Sequence, residues 1–395
     1  QDRYPGIGRY TVNLLHALIR VEPDLSLALL HDPTARNISF DLSGLQRQTR
    51  IAWVPCLVPL RSWQGQVDVP MMMRRLRLDL FHAPYYVRPY LTPCPSVVTI
   101  YDVISRLHPK GLPSVAARWA FEAATRLALL SSQRIIVPSE TTAADLRRYY
   151  QVKAARLRVI PGAADPAFRP LPQVQVWPVL ERLGLPQPYV LYLGTNKPHK
   201  NLTRLIQAWA QVVAGWSGTP PPLVVAGHED PRYPQARQTA EQLGLGGRVR
   251  WLSSVPGQAL PALVAGAEAF VFPSLYEGFG LPVLEALACG VPVACSDTPA
   301  LRELAGPAAT YYDPRDLSAM AEGISELLRA HERRRALREA GLARAGEYSW
   351  ERAAKQTLAV YQEALAERPR GGGAAGAGLG CLPGRRLPPA RLLGG

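Results

Sequence analysis

Cysteine is scarce in this chain: five residues in 395, at positions 56, 94, 289, 295 and 381, none in a C-x-x-C pair. An odd, scattered set excludes a disulfide framework and a thiolate zinc site, and fits reduced thiols in a cytoplasmic setting. No long uncharged apolar run is present, so no segment reads as a membrane-spanning helix. No basic stretch followed by an apolar core opens the sequence, and the reading expects no secretory leader. An Asp-x-Asp motif is also missing, so nothing marks a divalent metal site and none is expected. What is present is a folded composition: 47% hydrophobic and 19% charged, in a length suited to two domains.

The net charge of +14 is unevenly spread. Residues 1–170 hold 22 Lys and Arg against 12 Asp and Glu, residues 171–367 hold 18 against 19, and residues 368–395 hold five Arg and no acid. A general nucleic-acid binder would not be expected to leave its middle neutral, and the sequence carries no nucleic-acid-binding module, so no nucleic acid partner is expected. A basic first half and tail suit an anionic partner such as lipid headgroups or a lipid diphosphate.

Short β-branched runs alternate with helical stretches, the pattern of parallel sheets with crossover helices. In the first half, 26–31, 49–55, 79–84, 96–102, 134–139 and 158–162 read as strands; in the second, 189–194, 222–227, 249–254, 269–274 and 291–296 do. The reading predicts an α/β protein with two Rossmann-like, doubly wound domains facing across a cleft. Residues 1–165 form the first, without its opening strand, and the Pro-rich 166–178, neither helix nor strand, forms a linker. Residues 179–349 form the second, 350–367 a helix crossing back to the first, and the Gly/Pro/Arg-rich 368–395 a disordered basic tail.

Four stretches carry chemistry. In EGFGLPVLEALACGVPVACSD (277–297), a strand ends in a loop bearing Glu277, and Gly278, Phe279, Gly280 and Leu281 lead into a helix carrying Glu285. Free amides at a helix start suit a diphosphate, and two carboxylates can each accept from vicinal hydroxyls. In YVLYLGTNKPHKNLTRLIQAW (189–209), a strand ends at Gly194, and Thr195, Lys197 and Lys200 follow, cations able to neutralise phosphate. YPGIGRYTVNLLHAL (4–18) places Gly6 and Gly8 in a loop before a helix, but lacks the third glycine of a dinucleotide fingerprint, which argues against a nicotinamide or flavin cofactor. VVTIYDVISRLHPK (97–110) sets Tyr101 and Asp102 at a strand's carboxyl end. Taken singly, each stretch also admits a bland reading: a solvated lysine, a satisfied Tyr–Asp pair, an ordinary helix start.

In this order the stretches resemble the family 4 glycosyltransferases of the GT-B fold, retaining and metal-independent, which include bacterial polysaccharide mannosyltransferases. The resemblance spans roughly residues 3 to 366 and includes RIIVPSETTAADLRRYYQV, RVIPGAADPAFRP and YSWERAAKQTLAVYQEAL. It implies that Glu277 contacts the donor sugar, Glu285 the nucleotide ribose, and the amides of Phe279, Gly280 and Leu281 the sugar and phosphates. It also implies that Lys200 binds the diphosphate and that Gly6 belongs to a glycine loop closing over it. Thr195 stands where many members have arginine, leaving Lys197 or His199 to share the phosphate role. Tyr101 stands where many have histidine, beside Asp102.

The activity implied is transfer of mannose or glucose from a nucleotide diphosphate sugar, GDP-mannose or UDP-glucose, to a glycan or lipid-linked acceptor. The nucleotide sugar is then a substrate, and no cofactor is implied. The protein would work in the cytoplasm, with peripheral contact to an anionic membrane face. Two alternatives stay open: a catalytically impaired sugar-nucleotide-binding protein and a GT-B-fold sugar-nucleotide epimerase.

Overall fold

The computed structural model describes residues 5–35, 40–112 and 114–367; the tail expected to be disordered, with Cys381, lies outside the described residues. The second half is built on a six-stranded parallel sheet of order β12-β11-β10-β7-β8-β9. Its strands are β7 (Val190–Leu193), β8 (Leu223–Ala226), β9 (Val249–Leu252), β10 (Ala269–Phe272), β11 (Val293–Ser296) and β12 (Ala309–Tyr312). Successive side chains feed opposite faces. Leu191, Phe270, Phe272 and Cys295 enter one core, while Val190, Tyr192, Val271 and Ala294 enter the other. Burial on both faces explains why these strands read as continuous apolar runs. β12 was not anticipated from the sequence, because ATYY is short and breaks the apolar pattern.

The first half carries a four-stranded parallel sheet, β3 (Phe81–Ala83), β4 (Ser96–Thr99), β5 (Arg134–Val137) and β6 (Leu157–Val159), in that order. β1 (Leu27–His31) and β2 (Ile51–Pro55) pair separately, also in parallel. The second half is thus one parallel sheet flanked by helices and the first half a four-stranded parallel sheet with a separate parallel pair, an arrangement consistent with Rossmann-like domains.

Two local expectations are corrected. The helix expected after a glycine loop already begins at Pro5 and runs to Val21, so Gly6 and Gly8 are helical. Proline fits a first helical position, and glycine is cheap in a first turn whose amides have no intrahelical partner. Inside the stretch expected to be neither helix nor strand, Gln173–Arg182 is a helix. Pro178 is tolerated near its middle, and Val176 and Leu180, four apart, bury one face.

The closing helix, Trp350–Ala366, packs on the opening helix and on β4 and β5. Its Tyr361 hydroxyl meets His82 Nδ1 at 2.7 Å, while His82 Nε2 meets Thr99 Oγ1 at 2.9 Å. Burial pushes the His82 pKa down to about 4, so this bridge is made by neutral imidazole. Glu363 reaches Arg134 at 2.8 Å and Arg158 at 2.6 Å. The last helix among the described residues is therefore part of the first half.

Candidate active site

All strands of the second sheet end at one edge, and the loops leaving that edge carry most of the expected site residues. After β7, Gly194 still donates to the Ala226 carbonyl at 2.9 Å. A Cβ on the neighbouring Gly227, at φ +132°, would lie 2.2 Å from the Gly194 carbonyl oxygen, so two strand ends meet backbone to backbone. The next residues are tied down. Thr195 accepts from the Tyr192 hydroxyl at 2.7 Å, and the Asn196 side chain holds the backbone of Asp230 and Tyr233 at 2.7 to 2.9 Å. Asn201, left-handed at φ 59°, donates to the carbonyls of Pro273 and Pro314.

This anchored loop presents Lys197 and Lys200. The Lys200 ammonium lies 2.6 Å from Glu277 Oε1 and 5.1 Å from the Phe272 ring centre. Asp102, from the first half, shares their field. Burial raises its pKa against the hydrogen bond from the Ile104 amide; Glu277 adds to the rise, and Lys200 and Lys197 oppose it. The neighbouring His199 is buried among cations, which pushes it down to about 2: burial contributes most, then Lys200 and Lys197. It is therefore a neutral ring, not a third cation.

Glu285 sits in the helix Leu281–Ala288 and is fully buried. Arg9 of the opening helix grips its Oε1 in a short ion pair and stacks 5.3 Å from the Phe168 ring centre. Burial raises the Glu285 pKa and Arg9 opposes that. Its second oxygen, Oε2, has no hydrogen-bond partner among the described residues. A buried acceptor left empty costs on the order of 1–3 kcal/mol, so it marks a place for a donor group. At the head of this helix Gly280 has φ +102°, and a Cβ there would lie 2.6 Å from Leu301 Cδ2. Phe279 packs edge-on against Tyr348, and Leu281 opens the helix, whose first amides have no intrahelical partner.

The structure therefore brings Lys200, Glu277 and Asp102 together, with Lys197 in the same field and Glu285 held from across the gap by Arg9. Gly278 also meets the first half directly. Three expected residues differ from expectation in local placement. Gly6 is in the opening helix with open space where a Cβ would go, and Gly8 is buried in the same helix. The Tyr101 ring packs edge-on to Tyr10, its centre 5.2 Å away, with Trp350 behind Tyr10.

Sequence reasoning passed over Arg9, although it lies inside a quoted motif, because its partner is 276 residues away. It also passed over the crevice beyond Gly194, lined by Gly227, His228, Glu229, Leu252 and Ser253. Turn residues after the strand PLVVA were the available signal there.

Comparison with known proteins agrees with this geometry. Residues 4–168 match the model of Glycosyltransferase Family 4, and residues 180–344 match that of Glycosyl transferases group 1. The chain is 30% identical over 378 residues to O-antigen chain mannosyltransferase B of Escherichia coli, covering 91% of this chain and 97% of that protein. It is 29% identical over 288 residues to the MMP alpha-(1->4)-mannosyltransferase of Mycolicibacterium hassiacum, 69% of this chain and 66% of that one. In fold it is similar to sucrose-phosphate synthase from Thermosynechococcus elongatus, with a TM-score of 0.71 at 22% identity over 90% of this chain and 93% of that one. Anabaena HepE, solved with UDP and glucose, gives 0.70 at 19% identity over 89% and 95%. Matches over both halves, and a relative matched almost end to end, agree with the paired parallel sheets: the chain belongs to the family 4 glycosyltransferases and is a glycosyltransferase of the GT-B fold.

Proposed function

We propose that this enzyme is a retaining hexosyltransferase that moves mannose from GDP-mannose to a hydroxyl of a glycan or lipid-linked acceptor, without a divalent metal, in the cytoplasm. UDP-glucose is the second candidate donor. The observation that carries the reading is the buried Glu285 carboxylate with one oxygen held by Arg9 and the other unpartnered. A ribose hydroxyl supplies the missing donor. Glu277, at the same sheet edge as Lys200, suits the sugar hydroxyls. The mannosyltransferase names of the two relatives favour mannose.

A diphosphate leaves well once its charge is stabilised, so the demand on the protein is electrostatic. Lys200 exchanges Glu277 for the diphosphate, and Lys197 and the amides of Phe279, Gly280 and Leu281 add to the field. The acceptor oxygen attacks the anomeric carbon on the face the diphosphate leaves, and the departing phosphate oxygen takes the acceptor's proton. The Tyr101 ring, packed into the first-half core rather than supplying an imidazole, favours one competing reading, a donor-binding protein without turnover.

Calorimetry with GDP-mannose and UDP-glucose in chelator, followed by mass spectrometry of products from a lipid-linked acceptor, separates these. A glycosylated acceptor is expected. Donor binding without product would leave the impaired binder, and an isomerised donor would leave the epimerase.

No helix among the described residues is long and apolar enough to cross a membrane. A surface route to the bilayer is available on the helix Gly65–Arg75. Trp63, Val67 and Met71, four apart, are 81%, 49% and 43% exposed, and Arg61, Arg74 and Arg75 are exposed with them. Apolar side chains beside arginines suit the interface of an anionic bilayer, where each cation contributes about 1 kcal/mol. The protein is expected to sediment with phosphatidylglycerol vesicles and not with phosphatidylcholine ones. Replacing Trp63 and Met71 by serine should abolish this, and unchanged sedimentation would refute the assignment.

A further inference from the structure

The two halves touch at a seam of backbone carbonyls. Gly278, directly after Glu277, lies so close to the end of β4 that a Cβ there would be 1.9 Å from the Tyr101 carbonyl oxygen and 2.9 Å from Asp102 Cβ. Its own carbonyl is held by the first half. Ser139 Oγ donates to it at 2.5 Å and Thr142 Oγ1 at 3.1 Å, and Thr142 Oγ1 also lies 3.2 Å from the Tyr101 carbonyl. Both hydroxyl residues are buried. Ser139 at the same time caps the helix Glu140–Tyr150, accepting from the Thr142 amide at 3.0 Å.

The contacts around the seam point the same way. The Glu303 carboxylate, from the helix Pro299–Ala305 of the second half, accepts from the amides of Glu140 and Thr141 at 2.7 and 3.1 Å. Tyr276 donates to Asp145 at 2.6 Å. One helix of the first half therefore holds the residues on both sides of Glu277.

A trans peptide sets its C=O and N–H in opposite directions. Pinning the Gly278 carbonyl toward Ser139 and Thr142 aims the Phe279 N–H away from them. We propose that Ser139 and Thr142 are positioning residues that orient the Gly278–Phe279 peptide for the donor, and that Gly278 is glycine so that the halves can close. In an open form the carbonyl loses both hydroxyls and the peptide is free to turn, so the donor site is complete only when the halves meet. The glycine requirement comes from the other half, because no positive φ accompanies Gly278. The role in turnover rests on the transferase reading; closure itself does not.

Gly278→Ala is the test, read by small-angle scattering of the full chain alone and with GDP-mannose or UDP-glucose, and by turnover. The variant should fold with the wild-type Tm and have a larger radius of gyration. Its kcat should fall about a hundredfold, the order expected when a reacting geometry is lost, with the donor KM changed less than about threefold. Thr142→Val, which keeps shape but loses the hydroxyl, should lose about tenfold in kcat, and Thr142→Ser should restore it. Gly278→Ala matching the wild type in dimensions and turnover would overturn the proposal, as would a Thr142→Val variant as active as Thr142→Ser. A wild type that is compact but inert toward both nucleotide sugars would overturn the proposed donors instead, and the difference in dimensions would then decide the seam alone.

Discussion

Lys200→Ala is expected to lower kcat roughly a thousandfold, at the upper end of what removing one electrostatic stabiliser of a transition state does. The ammonium is 2.6 Å from Glu277 and mostly shielded from water, so its charge acts at short range. Its removal has a second effect of the same sign. Glu277 and the half-buried Asp102 would face an incoming diphosphate with Lys197 as the nearest remaining cation of the loop. Breaking a largely buried pair also costs up to a few kcal/mol of stability, so Tm must be followed beside activity. Lys200→Arg keeps the charge and should retain part of the rate. Single-turnover kinetics at saturating donor give the answer, and an alanine variant with a near-normal rate would remove Lys200 from the chemistry.

Glu285→Gln should cost both stability and donor binding. Burial raises the Glu285 pKa and the Arg9 ion pair opposes that rise. An amide of the same shape leaves Arg9, itself largely covered, without a counter-charge. Removing one partner of a buried pair costs about 3–5 kcal/mol, offset in part by the easier burial of the amide, so Tm should fall. Donor binding should fall as well. A hydrogen bond to a charged acceptor contributes about 1.5–3 kcal/mol, so affinity should fall about ten- to a hundredfold, with kcat at saturation little changed. Titration calorimetry with GDP and with GDP-mannose checks this. Equal affinity for wild type and variant would show that Glu285 is a structural partner of Arg9 and no ribose ligand.

The parallel architecture was legible in the sequence because strands buried on both faces leave continuous apolar runs that stop at turn residues. Lys200, Glu277 and Asp102 were legible because all three follow such a strand and so had to fall at the carboxyl edge. What could not be read lies across the gap. Arg9, Ser139 and Thr142 have partners in the other half of the chain, and no local period or spacing encodes such a meeting. Gly278 shows the same limit. The sequence places it between the Glu277 loop and a helix start, but its reason is the backbone of another domain. Gly6 differs in a simpler way: a glycine beside a motif suggests a loop, but Pro5 already starts a helix there.

The return of the closing helix has a mechanical consequence. Among the described residues the chain passes between the halves twice, and the two passages lie side by side, since Trp350 Nε1 donates to the Ala164 carbonyl at 3.0 Å. A single thread would let one lobe swivel freely about the other. Two adjacent threads behave as a door on paired pins, which swings in one plane and resists twisting, so each swing returns the same faces to register.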